Sequence, residues 1–63
     1  MTTLKTFGRN RFRFQKLFPD AIFEGYECNI KYCFFSFKRK TGIYSKTLIK
    51  RICDSENIKI LFE

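Results

Sequence analysis

Three arginines, Arg9, Arg11 and Arg13, alternate with Asn10, Phe12 and Phe14. This is the period of a strand that turns one face each way. On such a strand three guanidinium groups point the same way, about 7 Å apart, close to the spacing of phosphates along a nucleic-acid strand. Lys5 and Lys16 extend the group, and no acid occurs in the first sixteen residues. A second acid-free group comprises Lys38, Arg39, Lys40, Lys46, Lys50 and Arg51. All but Lys31 and Lys59 of the thirteen basic residues fall in these two stretches, and the net charge is +7. Clustered cations of this kind are the footprint of a polyanion binder. If roughly five of them met phosphates, log K would fall against log salt with a slope near −4 to −5. The competing uses are an edge strand guarded by charge and plain solubility.

Catalysis finds little support. There is no histidine, so imidazole acid–base chemistry is absent. Asp20, Glu24, Glu27, Asp54, Glu56 and Glu63 show no pairing of an acid with a base. Gly8, Gly25 and Gly42 stand alone, so no phosphate-cradling loop is built from them. Cys28, Cys33 and Cys53 are too few for a four-ligand zinc site and odd in number for a closed disulfide set. With no signal-peptide pattern, they read as small apolar groups in a reducing cytoplasm. The expectation is a protein that binds, without enzyme activity, cofactor or metal.

A chain of 63 residues forms one small domain and hides only about 60% of the surface its unfolded form exposes. The expected class is α+β, with short antiparallel strands over 9–16, 30–38, 43–45 and 58–62 and a helix over 46–54. Residues 1–8 have no period and read as a loose N-terminal arm. Phe18-Pro19-Asp20 is a break, with Asp20 able to cap a helix. Ile22, Phe23, Tyr26 and Ile30 would share a helical face, and Glu27 precedes Lys31 by four. Gly25 opposes a helix there, at about 1 kcal/mol relative to alanine. The region therefore divides into a helix or turn over 20–28 and a strand over 30–38. Lys40-Thr41-Gly42 reads as a hairpin turn. Ser45 is the N-cap expected for the helix, which sets Leu48, Ile49, Ile52 and Cys53 against Lys46, Lys50 and Arg51. In the strand that follows, Ile58, Ile60 and Phe62 alternate with Lys59 and Leu61.

Nine Phe and three Tyr are a heavy aromatic load for so short a chain. Some rings should reach the surface or meet a second copy, which favours a homodimer. No apolar run approaches the length of a membrane span. Two functions follow. In the first, a small regulator binds DNA or RNA through Arg9, Arg11, Arg13, Lys38, Arg39 and Lys40, extended by Lys46, Lys50 and Arg51. Phe12, Phe14 and Tyr44 could stack on unpaired bases, although core is the commoner use of such rings. The RNA-recognition signature is not met at Lys38-Arg39-Lys40, which lacks the glycine and aromatic positions that would follow. In the second, a phage or mobile-element type accessory protein engages a host protein, or itself, through aromatic anchors. Those anchors would be Phe12, Phe14, Phe18, Phe34, Phe35 and Phe37, together with Phe7. Reversing Arg9, Arg11 and Arg13 to Glu should abolish nucleic-acid binding with the fold intact and do little to an aromatic protein interface, which separates the two.

Overall fold

A computed structural model describes residues 2–38 and 45–63 of the chain. The elements are β1 (Thr2–Phe7), a single 3-10 turn (Gly8–Asn10), α1 (Arg11–Leu17), β2 (Ile22–Glu27), β3 (Tyr32–Phe37), α2 (Lys46–Ser55) and β4 (Ile60–Phe62). Four antiparallel strands form one sheet in the order β2-β3-β1-β4. The β-α-β-β-α-β succession, with β3 inserted between β1 and β2, is the split βαβ arrangement of an α+β domain.

The core lies on one side of this sheet. Leu4 pairs with Phe35, and Thr6 with Cys33, so these residues share a face. Leu4, Cys33 and Phe35 pack in one cluster with Phe14 and Phe18 around α1, and with Ile49 and Cys53 of α2. Phe14 meets Phe18 and Phe35 at ring-centroid distances of 4.8 and 4.5 Å. Each such pair adds about 0.5–1.5 kcal/mol beyond the area it buries. Both helices therefore cover the same face, and the other face of the sheet stays open among the described residues.

Three sequence expectations fail here, each for a tertiary reason. Residues 9–16 are not a strand. The alternation of Arg9, Arg11 and Arg13 is overridden because Phe14, Leu17 and Phe18 fall on one helical face that meets the sheet. Residues 1–8 are not a loose arm, since β1 is one of the two central strands. Its Thr6 hydroxyl donates to the Lys59 carbonyl at 2.6 Å, which joins β1 to the approach of β4. Residues 20–28 hold no helix. Gly25 has φ +134° at a bulge in β2, where Glu24 is the extra residue between Phe23 and Gly25. The Glu24 carboxylate accepts from the Ser36 hydroxyl across this bulge.

The remaining elements follow the sequence reading. The 30–38 and 58–62 strands appear as β3 and β4, and the 46–54 helix as α2. Ser45 caps α2, its Oγ accepting from the Leu48 amide at 3.2 Å. Asn57, at φ +60°, ends the helix, and the Ile58 amide returns to the Cys53 carbonyl at 2.8 Å. The 43–45 strand and the Lys40-Thr41-Gly42 turn lie outside the described residues, apart from Ser45. No described helix is long and apolar enough to cross a membrane.

Candidate nucleic-acid interface

Strand alternation decides what the open face carries. Because Leu4, Thr6, Cys33 and Phe35 turn inward, Lys5, Phe7, Tyr32 and Phe34 turn outward. Lys5 pairs with Phe34 on one side and Leu61 on the other, and Phe7 pairs with Tyr32. The Phe7 and Tyr32 rings lie 5.6 Å apart with their planes 24° from parallel. A groove of about 280 Å³ runs beside them, lined by Lys5, Thr6, Phe7, Tyr32, Lys59, Ile60 and Leu61. A second depression shares Phe7 and adds Arg9, Ile30 and Lys31.

Cations frame these rings. Lys5 Nζ lies 4.8 Å and Lys31 Nζ 5.6 Å from the centre of the Tyr32 ring. The Arg9 guanidinium lies 5.2 Å from that of Phe7. Lys59 adds a fourth charge from the β4 side. Against them stands Glu27, whose carboxylate is 3.7 Å from Lys5 Nζ. Glu24 and Glu63 belong to the far end of the sheet, beside Ser36 and Thr3 respectively. The face is thus basic and aromatic at the Phe7–Tyr32 end.

Local backbone holds this end in place. Cys28, Asn29 and Ile30 all adopt left-handed φ of 55–65° in the turn between β2 and β3. For a β-branched residue such as Ile30 that geometry is strained by about 1–3 kcal/mol. The Gly8 amide donates to the Lys31 carbonyl at 2.8 Å. A Cβ on Gly8 would come within 1.9 Å of the Ile30 carbonyl oxygen, so only glycine permits this approach.

The arginine row anticipated from the sequence is dispersed, because a helix turns its side chains to different sides. Arg9 alone reaches the open face. Arg11 donates to the Tyr26 hydroxyl at 2.9 Å, with its guanidinium 3.7 Å from the centre of the Phe23 ring. Arg13 donates to the Glu56 carbonyl at 2.7 Å and so ties α1 to the end of α2. Lys38 is exposed just beyond β3, at the opposite end of the sheet from Tyr32. Arg39 and Lys40 lie outside the described residues. Lys46, Lys50 and Arg51 are exposed on α2, in the helical layer, and Lys50 lies 3.8 Å from Asp54.

The aromatic anchors divide likewise. Phe14, Phe18, Phe35 and Phe37 are core residues, at most 6% exposed, so their rings offer a partner nothing. Phe34 is half-buried on the open face, and Phe12 is 75% exposed on α1. The sequence points to Lys5 only as an extension of the first basic group, and not to Lys31, Tyr32 or Lys59 as site residues. The signal was the i, i+2 spacing of Lys5 with Phe7 and of Tyr32 with Phe34, which becomes a shared face only once β1 and β3 are known to pair.

The cysteines take no part in this face. Cys33 and Cys53 are buried and Cys28 is exposed. Burial pushes the Cys33 thiol up, partly offset by the Arg11 charge. Burial, helped by Asp54, pushes Cys53 up to about 11. Among the described residues no three of Cys, Asp and Glu converge as metal ligands. Comparison with protein-family models, with curated proteins and with solved structures finds no match to this chain.

Proposed function

We propose that this chain is a small, non-enzymatic nucleic-acid-binding protein that works through the open face of its sheet, as a regulator does, by occupying its target. The observation that supports this most is the grouping of Lys5, Arg9, Lys31 and Lys59 around the Phe7–Tyr32 pair. Phosphates are anchored by such cations, and aromatic rings on an open four-stranded sheet are a general platform for nucleobases. Arg11 and Arg13 are left out of the proposed contact because each commits a guanidinium N–H to a bond on the helix side of the sheet.

Two double reversals of equal charge change test the location. Lys31→Glu with Lys59→Glu alters the sheet face, and Lys46→Glu with Arg51→Glu alters the helical layer. Binding of labelled DNA and RNA is followed across a salt series. The first pair should lose about tenfold or more in affinity and flatten the salt slope by about 1.5. The second pair should lose much less. Equal losses would show that overall charge, and not this face, does the binding.

The second reading is a protein partner, a host factor or a second copy of the chain, and Phe12 favours it. A ring 75% exposed on α1 is an anchor looking for a pocket. Replacing Phe12 by Ser should leave nucleic-acid binding unchanged and abolish any dimer seen in solution mass.

A further inference from the structure

We infer that the nucleic acid taken by this face is a single strand, whose unpaired bases displace the cations now lying over the Phe7 and Tyr32 rings; this rests on the nucleic-acid reading above. Three observations carry it. The first is shape. Four strands side by side span about 15 Å, which is too broad for a major groove about 12 Å wide. Both helices lie on the opposite face of the sheet from these rings. α1 has only seven residues and holds Arg11 and Arg13 in internal bonds, and on α2 Lys50 faces Asp54.

The second observation is the rings themselves. Phe7 and Tyr32 form an aromatic pair, and Phe34 lies on the same face two residues along β3. In a duplex the base faces are covered by their neighbours, so these rings would have nothing to stack upon. An unpaired strand offers a bare face at each nucleotide.

The third is the exchange that binding allows. In the free protein Lys5 and Lys31 lie over Tyr32, and Arg9 over Phe7. An exposed cation over a ring is worth about two- to fivefold in an equilibrium constant, and a stacked base about five- to a hundredfold. A base therefore displaces the cation, and the freed ammonium or guanidinium is already beside the incoming phosphate. Glu27 opposes this by holding Lys5 at 3.7 Å. With four cations engaged, the single-strand salt slope should be about −3.

The test uses the whole chain and a labelled mixed-sequence oligonucleotide of about 12 residues, as DNA and as RNA, single-stranded and annealed to its complement. The single strands should bind at least tenfold tighter than the duplexes, with tyrosine fluorescence quenched on binding. The DNA and RNA arms then name the source. Tyr32→Leu keeps the apolar bulk but removes the stacking face, and should weaken single-strand binding tenfold or more. Tyr32→Phe should recover most of that loss, and Arg51→Gln should match the unchanged protein. Circular dichroism checks the fold. Glu27→Gln, which frees Lys5 from its pairing with the carboxylate, should tighten single-strand binding about two- to fivefold and duplex binding less, so the inference is tested even if Tyr32→Leu unfolds. Equal affinity for duplex and single strand, or full affinity in Tyr32→Leu, would overturn the single-strand inference while leaving the charged face in use. No binding of either form at low salt would overturn the functional reading as well.

Discussion

Gly8 and Ile30 show how closely one backbone position can depend on another. Gly8→Ala would drive a methyl group into the Ile30 carbonyl, which is main chain and cannot swing aside. A loss of about 1–3 kcal/mol is expected, measured by urea unfolding. Ile30 is 64% exposed, so its strain is not repaid by burial. Ile30→Asn should raise stability by about 1 kcal/mol, because Asn tolerates left-handed φ, and should raise Tm by about 4–8 °C. If Ile30→Asn melts lower, the side chain is held by contacts that outweigh the strain. At this scale the sequence was a poor guide. Nothing about an isolated Ile in Cys28-Asn29-Ile30 announces a positive φ, and Gly8 read only as the end of an arm.

Arg11 and Arg13 belong to the scale of elements. Arg11 clamps α1 to β2 through Tyr26 and Phe23, and Arg13 clamps α1 to α2 through the Glu56 carbonyl. Arg11→Ala and Arg13→Ala should each lower stability, by about 1–2 kcal/mol, and leave nucleic-acid affinity nearly unchanged. A fall in affinity with unchanged stability would return them to the binding surface. The triple reversal at Arg9, Arg11 and Arg13 is for the same reason a poor test of function, since it loosens both helix contacts. Ser45→Ala should cost about 1 kcal/mol through loss of the α2 cap. That cap, the amphipathic stripe behind it and the strands over β3 and β4 were legible because each signal is local. The α1 segment was misread because its Arg–Phe alternation imitates a strand, and only Phe35 and Phe37 across the core make Phe14 and Phe18 bury as a helical face.

The whole molecule holds two thiols in its single core, and this sets its response to alkali and to alkylation. Cys53 titrates near 9 in an unfolded chain and at about 11 when folded. The raised value means that the neutral thiol is favoured by folding. Its contribution is therefore complete below pH 9 and is lost as pH rises through about 11. Thermal melts should fall over that window, and Cys53→Ala should flatten the fall. Native-state alkylation should modify Cys28 alone, with Cys33 and Cys53 reacting only on unfolding, as read by mass spectrometry. Rapid labelling of all three below the melting range would mean that the core opens easily. Across the surface, tertiary structure divides the basic residues into a sheet side, with Lys5, Arg9, Lys31 and Lys59, and a helix side, with Lys46, Lys50 and Arg51.

By itself the sequence determined the class of protein: one small α+β domain, strongly basic, rich in Phe, with no histidine and no recognisable catalytic set. Composition and short-range periodicity carry that information, because they depend on residues close together in the chain. Tertiary structure decided which cations and rings meet. Lys5 and Phe7 come from one strand, and Tyr32 from the start of another more than twenty residues on with Lys31 in the turn just before it; β pairing makes them neighbours. The same pairing sends Phe35 inward and Phe34 outward. Adjacent residues of one type acquire opposite roles because successive side chains on a strand point to opposite faces.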